Sequence, residues 1–319
     1  MVCLVAVATA LLAVGSASAA AYSVRDLGPS TRFAEAINSR GDVVGSGDQA
    51  FLYSRGVLML LPPLGAGTFN TALGVNDRGD VVGFSNTPTE AHAFLYRAGA
   101  MTDLGTLGGG FSLANDVNNA GQVVGVSFDP TFRSLPFVYD HGQMRSLGFD
   151  GVAAAINEAG QIAGLFFVNP PSADPLHAFL FTHSQRLDLG TLPGGVESAA
   201  EDVNDAGQVV GWSSCATCDE HAFLYVGGVM RDLGTLGGAT SHAYSINNVG
   251  QVVGTSRTAE GFPEAFVWSG GVMRNLNDLV PPMPGGFLWE AHGINDRGQI
   301  AAFGLFNGHF RAFLLTPTG

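Results

Sequence analysis

One nine-residue pattern recurs seven times along the chain and constrains its fold more than any other feature. Each copy has a β-branched residue, an Asn-x-x-Gly turn and a short apolar run after it. The copies are INSRGDVVG at 37–45, VNDRGDVVG at 75–83, VNNAGQVVG at 117–125, INEAGQIAG at 156–164, VNDAGQVVG at 203–211, INNVGQVVG at 246–254 and INDRGQIAA at 294–302. Self-similarity at a nearly fixed period is typical of solenoids, propellers and other repeat architectures.

Two further landmarks accompany the turn in a fixed order. The first is an aromatic segment of the HAFLY type, found at 49–53, 92–96, 135–139, 177–181, 221–225, 264–268 and 311–315. The second is a segment of the M-x-D-L-G type, found at 24–28, 59–65, 101–105, 144–148, 186–190, 230–234 and 273–279. Together with the two arms of the turn, they predict four short strands per repeat of 38–48 residues. This is the size of a β-propeller blade.

The two ends of the chain favour a closed ring. The segment at 24–28 precedes any turn, and the aromatic segment at 311–315 has no M-x-D-L-G segment after it. The N-terminal strand therefore supplies the missing fourth strand of the last blade, which removes two exposed sheet edges. We predict an all-β fold: a single seven-bladed β-propeller of four-stranded blades that spans residues 22–319.

The turns and the innermost strands have simple physical requirements. In Asn-x-x-Gly the glycine is expected at positive φ, which it adopts without a Cβ penalty. The Asn side chain is expected to hydrogen-bond to its own following backbone. An alanine stands four residues before every turn Asn, where the blades converge and bulk does not fit: Ala34, Ala72, Ala114, Ala153, Ala200, Ala243 and Ala291.

The wording of the repeats resembles the HAF-repeat family of extracellular proteins. The similarity lies in HAFLY, in A-x-x-x-N-x-x-G-Q-V-V-G, and in the LGTLGG or LGTLPGG segments at 104–109, 189–195 and 233–238. The resemblance implies a repeat-built β fold and export from a bacterium, and it implies no activity. Four repeats replace the namesake His with another residue, so we do not expect this His to be a shared catalytic group: Gln49, Leu135, Glu264 and Arg311.

Three repeats keep the histidine, as His92, His177 and His221. Three ligands in seven repeats are a poor stoichiometry for a metal on the ring axis. We predict instead that each His hydrogen-bonds to a neighbouring blade, and we predict no metal site and no cofactor.

The N-terminal segment 1–21 is predicted to be a signal peptide. An apolar run is followed by small residues that resemble a signal cleavage site. No Lys or Arg precedes the run, so either the true start lies upstream or the signal is atypical. The expected location is secreted, extracellular or periplasmic. No later segment approaches about 18 uninterrupted apolar residues, so no membrane span is predicted in the mature chain.

The three cysteines of the sequence indicate whether a disulfide or a metal site is expected. Cys3 would leave with the signal, and Cys215 and Cys218 are most simply a loop disulfide in an exported chain. Free thiols, a metal site and redox chemistry are the alternatives, but zinc needs four ligands and a thioredoxin-like motif needs a βαβ unit.

The net charge of −13 argues against a nucleic-acid partner. We expect a monomer.

The positions at which the repeats differ are the candidates for functional residues. Two and three residues before each turn Asn, the sequence varies against a constant background. If this strand lines the central channel, these side chains converge near the axis as an acidic pocket. The candidate binding residues are Glu35, Asp116, Glu201, Asp202, Tyr244 and His292. Carboxylates beside a His and a Tyr support acid–base chemistry or bind a cation. Alternatively, they are polar groups that face channel water.

Two functions follow. The first is an exported binding scaffold for a glycan or protein, acting through one ring face. The segments 128–134, 167–176, 213–220 and 256–264 all connect the second strand of a blade to the third, so they share that face. The alternative is an exported polysaccharide lyase or hydrolase that uses the acidic channel residues. The sequence contains no nucleophile elbow, phosphate loop or EF-hand.

Overall fold

Seven four-stranded antiparallel sheets make up the computed structural model of the protein, which describes residues 21–169 and 175–319. The predicted all-β, seven-bladed propeller is confirmed. The predicted signal segment and Cys3 lie outside the described residues, apart from residue 21. Within the described ranges, no helix is long and apolar enough to span a membrane.

The strands follow the chain blade by blade after an initial strand, β1 (Tyr22–Asp26). Blade 1 contains β2 (Thr31–Ile37), β3 (Val43–Gly47), β4 (Phe51–Ser54) and β5 (Val57–Leu60). Blade 2 contains β6 (Asn70–Val75), β7 (Val81–Asn86), β8 (Ala91–Arg97) and β9 (Ala100–Asp103). Blade 3 contains β10 (Ser112–Val117), β11 (Val123–Phe128), β12 (Ser134–Asp140) and β13 (Gln143–Ser146).

Blade 4 contains β14 (Gly151–Ile156), β15 (Ile162–Phe167), β16 (Leu176–Thr182) and β17 (Gln185–Gly190). Blade 5 contains β18 (Ser198–Val203), β19 (Val209–Cys215), β20 (Cys218–Val226) and β21 (Val229–Asp232). Blade 6 contains β22 (Gly237–Ile246), β23 (Val252–Thr258), β24 (Pro263–Ser269) and β25 (Val272–Asn275). A single-turn 3-10 helix, Leu276–Asp278, precedes β26 (Gly286–Ile294), β27 (Ile300–Phe306) and β28 (His309–Pro317) of blade 7.

The N-terminal strand closes the ring. β1 pairs antiparallel with β28, in a register that runs from Tyr22 opposite Pro317 to Asp26 opposite Phe313. It thereby becomes the outermost strand of blade 7, in the order β1-β28-β27-β26. The predicted closure is confirmed, and its physical effect is that no blade is left with three strands.

The hydrophobic core lies between adjacent blades. The predicted innermost alanines are at most 2% exposed, so neighbouring sheets approach closely near the axis. The central Phe of the aromatic strand is fully buried in six blades: Phe51, Phe94, Phe137, Phe179, Phe223 and Phe266. Burying a Phe contributes about 1.5–3 kcal/mol each. The repeated apolar residues therefore account for the packing of the ring.

A belt of asparagines joins all seven blades on the face that carries the Asn-x-x-Gly turns, called here the turn face. The side-chain amide of each turn Asn donates to the backbone carbonyl of the turn Asn in the next blade. The series runs from Asn38 through Asn76, Asn118, Asn157, Asn204, Asn247 and Asn295 back to Asn38, with distances of 2.9–3.2 Å. The Asn oxygen also accepts backbone N–H groups of its own turn, as expected from sequence.

Among the residues that the structure describes, the repeat histidines have no hydrogen-bond partner in a neighbouring blade, so that prediction is wrong. Each Nδ1 contacts an Asp on the outermost strand of the same blade: Asp103 for His92, Asp188 for His177 and Asp232 for His221, at 2.9–3.0 Å. Antiparallel pairing places the two positions on one face of adjacent strands. The next residue makes the link between blades instead, because the Ala93 N–H donates to the Ser112 hydroxyl.

The opposite face, called here the loop face, carries the connections between blades and between the second and third strands of each blade. The segments 128–134 and 256–264 lie there. Segment 167–176 also belongs to this face, but 170–174 lie outside the described residues. Segment 213–220 is not a loop, because β19 and β20 continue as a hairpin to Cys215 and Cys218, which the structure joins as a disulfide.

Candidate functional site

A β-bulge interrupts the innermost strand of every blade, three residues before the turn Asn. The register shifts there in all seven pairings of the first and second strands. A bulge leaves one residue unpaired and re-aims its side chain. The seven bulge residues all line the central channel, and this set is called the bulge ring: Glu35, Leu73, Asn115, Ala154, Glu201, Tyr244 and His292.

The side chains of the bulge ring differ in polarity between the two sides of the channel. Blades 5, 6, 7 and 1 follow one another around the axis and contribute Glu201, Tyr244, His292 and Glu35. Blades 2, 3 and 4 contribute Leu73, Asn115 and Ala154. Ionisable side chains therefore occupy one side of the channel, and mostly small or apolar side chains occupy the other.

His292 lies between two carboxylates. Its Nδ1 is 3.0 Å from Glu35 Oε2, and its Nε2 is 2.8 Å from Glu290 Oε2. Burial by itself would lower the pKa of His292, but the hydrogen bonds and charges of Glu290 and Glu35 outweigh it and raise the pKa to about 9. His292 is thus an imidazolium at neutral pH, and 22% of its side chain stays accessible.

Glu290 belongs to the site although it is not among the predicted residues. It stands five residues before the turn Asn, where other blades have Phe33, Thr71, Leu113, Val152, Ala199 and His242. In β26 an additional register shift at Trp289 precedes Glu290. The sequence signal that identifies it is an acid at this otherwise uncharged position of the repeat.

Glu201 faces the channel without a hydrogen-bond or ion-pair partner among the described residues. It lines both the middle of the channel and its loop-face cavity. Burial is the main cause that raises its pKa to about 7; the Asp202 charge adds to this effect, and the His292 charge opposes it. Burial also raises the pKa of Tyr244, as do the charges of Glu290 and Glu201.

Asp116 and Asp202 also line the channel, but their oxygens are engaged in contacts between blades. Asp116 Oδ2 accepts from the Ile156 N–H at 2.9 Å, and burial raises the pKa of Asp116 to about 6. Asp202 Oδ2 accepts from the Ser245 hydroxyl at 2.9 Å and the Ile246 N–H at 2.8 Å. The structure therefore separates these two aspartates, which tie blades together, from the other four candidates.

An arc of aromatic rings adjoins the ionisable side of the channel. Tyr244 lies against His292, with ring centroids 4.3 Å apart. From Tyr244 the contacts continue to His242 and to Trp212, which stacks on His242 at 5.7 Å. In the other direction they pass from His292 through Phe303, Phe33 and Phe310 to Trp289.

The channel itself consists of adjoining cavities. A cavity of about 280 Å³ opens toward the loop face and is lined by Glu35, Glu201, Asn115 and apolar residues of blades 2 to 5. It shares residues with a middle cavity of about 230 Å³ and, through that, with a third at the turn face. Among the described residues that line these cavities there is no Lys or Arg. No group of His, Cys, Asp and Glu in the described ranges is arranged to hold a metal ion.

Comparisons with known proteins support the fold alone. No family model matches the chain, so the resemblance to HAF-repeat proteins rests on the motifs quoted above. No curated protein matches it either.

Among solved structures, the chain is similar to the β-propeller domain of the Trilobed protease from Pyrococcus furiosus, described as having an open velcro topology. The TM-score is 0.58 at 8% identity, over 91% of this chain and 96% of that one. It is also similar to YCF48 from Cyanidioschyzon merolae, with a TM-score of 0.56 at 9% identity over 93% and 99%. YCF48 bound to D1 peptide gives 0.56 at 11% identity over 94% and 96%.

Proposed function

We propose that this protein is an exported, monomeric β-propeller of the HAF-repeat kind that binds a glycan in the loop-face half of its channel. The observation that carries the proposal is the juxtaposition of Glu35, Glu201 and His292 with the aromatic ring of Tyr244 in one open cavity. Ligand sites typically combine an apolar wall with a few convergent polar groups. An aromatic face packs on the C–H face of a sugar ring, and carboxylates accept its hydroxyl groups.

The dimensions of the cavity favour a glycan over a folded protein as the ligand. The middle cavity, which these four side chains line, measures about 230 Å³, and the loop-face cavity that adjoins it measures about 280 Å³; both are close to the lower limit of about 300 Å³ for small-molecule pockets. A specific protein interface buries roughly 800 Å² on each partner. A saccharide chain can enter the cavity with one residue and lie over the neighbouring aromatic arc with the next.

A glycan array followed by calorimetry tests the proposal. Tyr244→Leu removes the aromatic ring next to His292, and we expect the affinity for an array hit to fall by about tenfold or more. Phe132→Ala is the matched control, because Phe132 is 84% exposed on a loop-face segment away from the channel. An unchanged affinity in the combined Glu201→Gln, Asp202→Asn and His292→Gln variant contradicts a channel site.

Export is proposed from the resemblance of 1–21 to a secretory signal. The test is the N-terminal sequence of the protein recovered from the periplasm or medium of a bacterial host. A mature N-terminus within a few residues of 22 supports export. Retention of the intact segment in the cytoplasm contradicts it.

Polysaccharide cleavage is the second candidate, and the pair of groups with displaced pKa values favours it. Burial raises the pKa of Glu201 to about 7, and the carboxylates of Glu290 and Glu35 raise that of His292 to about 9, so a carboxyl group able to gain or lose a proton near neutral pH lies near a protonated imidazole. Incubation of each array hit with the protein, followed by mass spectrometry, tests this. Chain shortening that disappears in Glu201→Gln supports catalysis, and intact ligand supports binding alone.

A further inference from the structure

The side chain of Glu201 lacks a hydrogen-bond donor among the residues that the structure describes. The carboxylates around it are occupied: Glu35 and Glu290 bind His292, and Asp202 accepts from the next blade. Glu201 accepts no hydrogen bond from the described residues, yet it lines the cavity that opens to the loop face. Burial destabilises the ionised form of an unpaired carboxylate, and a donor that reaches Glu201 through the open cavity would stabilise that form.

The surroundings of Glu201 determine which donor fits. Three carboxylates, those of Glu35, Glu201 and Glu290, surround a single imidazolium, so the ionisable side of the channel has an excess of negative charge. No Lys or Arg among the described lining residues offsets this charge. The Tyr244 ring next to His292 adds a π face, which also attracts cations.

From this geometry we infer that the ligand carries a free amino group and that its ammonium pairs with Glu201, with Glu35 as the neighbouring carboxylate. This inference rests on the proposed glycan binding and deepens it: the saccharide would be an amino sugar with an unacetylated amine. An ammonium supplies three donors and a positive charge. A uronic acid would add a further anion to these carboxylates, and a neutral sugar would leave their excess negative charge uncompensated.

Three tetrasaccharides with one backbone test the inference: the β-1,4 tetramer of glucosamine, its fully N-acetylated form and cellotetraose. They differ only in the amine, acetamide or hydroxyl at C2. We expect calorimetry at pH 7.0, where Glu201 is already partly ionised and pairing with the ammonium favours its ionised form, to show the free-amine tetramer bound about tenfold or more tightly than the other two, with one site per chain. This advantage should shrink as ionic strength rises.

Two variants locate the effect. Glu201→Gln keeps the shape of the side chain and removes its charge, and we expect the advantage of the amine to fall to about threefold or less. Glu158→Gln removes the same charge at the turn face, where Glu158 accepts from the Asn119 N–H, and should preserve the advantage. Far-UV circular dichroism and the urea midpoint establish that both variants are folded.

Each alternative result has a definite meaning. If the neutral tetramers bind as tightly as the amine, the inference is wrong and glycan binding still stands. If none of the three binds and the array is also empty, both the inference and the proposed function are wrong. If Glu158→Gln weakens the preference as much as Glu201→Gln does, the overall acidity of the protein attracts the amine, and the assignment to Glu201 is refuted.

Discussion

The asparagine belt makes a quantitative prediction about the stability of the ring, and Asn247 is the most informative position at which to test it. Its side-chain amide donates to Asn295 O at 3.0 Å and to Gln251 Oε1 at 2.8 Å. Its side-chain oxygen accepts from the Gln251 N–H at 2.8 Å. Asn247 is only 3% exposed, so water does not replace these partners easily.

Asn247→Ala removes three hydrogen bonds at once: the bond to Asn295 O is buried, and the two to Gln251 are partly buried. At about 0.5–1.5 kcal/mol net for each bond, we expect the free energy of unfolding to fall by about 3 kcal/mol. The carbonyl of Asn295 still accepts from the Gly298 N–H at 2.9 Å, whereas the N–H of Gln251 loses the Asn247 oxygen, so we keep the expected loss at the middle of the range of about 1.5–4.5 kcal/mol that three bonds give. This is a large share of the roughly 5–15 kcal/mol that stabilises an ordinary domain.

Val249→Ala is the control, because it alters the same turn without touching the belt. Val249 is 67% exposed, and surface substitutions of this kind usually change stability by less than about 0.5 kcal/mol. Urea unfolding followed by tryptophan fluorescence compares the midpoints, provided that the slopes agree. A loss in Asn247→Ala no larger than in Val249→Ala refutes the belt as a source of stability and leaves the Asn with a role in its turn only.

Four other variants test separate parts of the structure. Tyr22→Ala, in the closing strand, should lower the free energy of unfolding by about 3–5 kcal/mol in urea unfolding, because Tyr22 is buried in the core between blades 6 and 7. Ala243→Leu should destabilise by about 1–3 kcal/mol or prevent soluble expression, because Ala243 is fully buried next to the axis; a neutral effect would contradict close packing there. The stability of Glu201→Gln should match that of the wild type below about pH 4.5 and exceed it above about pH 7. Burial raises the pKa of Glu201 in the folded state, so the wild-type protein loses stability relative to its unfolded chain as pH rises through this window, whereas the variant does not. Parallel pH profiles would refute the shift. His221→Ala should lower the melting temperature by only a few degrees, because the Asp232 carboxylate that it contacts is 44% exposed.

The architecture could be predicted because every repeat carries the same sequence signals for its strands and turns. Every blade has the same strand order, turn and innermost alanine, and the offset of the two chain ends specifies how the ring closes. Local rules suffice for this: glycine for positive φ at positions such as Gly79 and Gly250, alternation for strands, and the need to remove sheet edges. The repeated residues therefore describe the scaffold, and those that vary beside Ala200 or Ala291 indicate the channel.

Contacts between blades could not be predicted from these local rules, since they join residues far apart in the chain. Nothing local in the sequence indicates that Asn295 bonds to Asn38, or that Glu35 meets His292 across the closure of the ring. The same is true of Asp116 and Asp202, which have the composition of a site but satisfy backbone donors of the next blade.

The sequence by itself thus determined the blade, the number of blades and the closure, because these follow from backbone geometry repeated at short range. Only the tertiary structure decided which polar groups are satisfied and which stay open. The bulges turn one residue per blade toward the axis, and the ring then sets Glu201, Tyr244, His292 and Glu35 side by side. Which polar groups pair in such a ring depends on residues of the neighbouring blade, and the sequence of one repeat does not specify those residues.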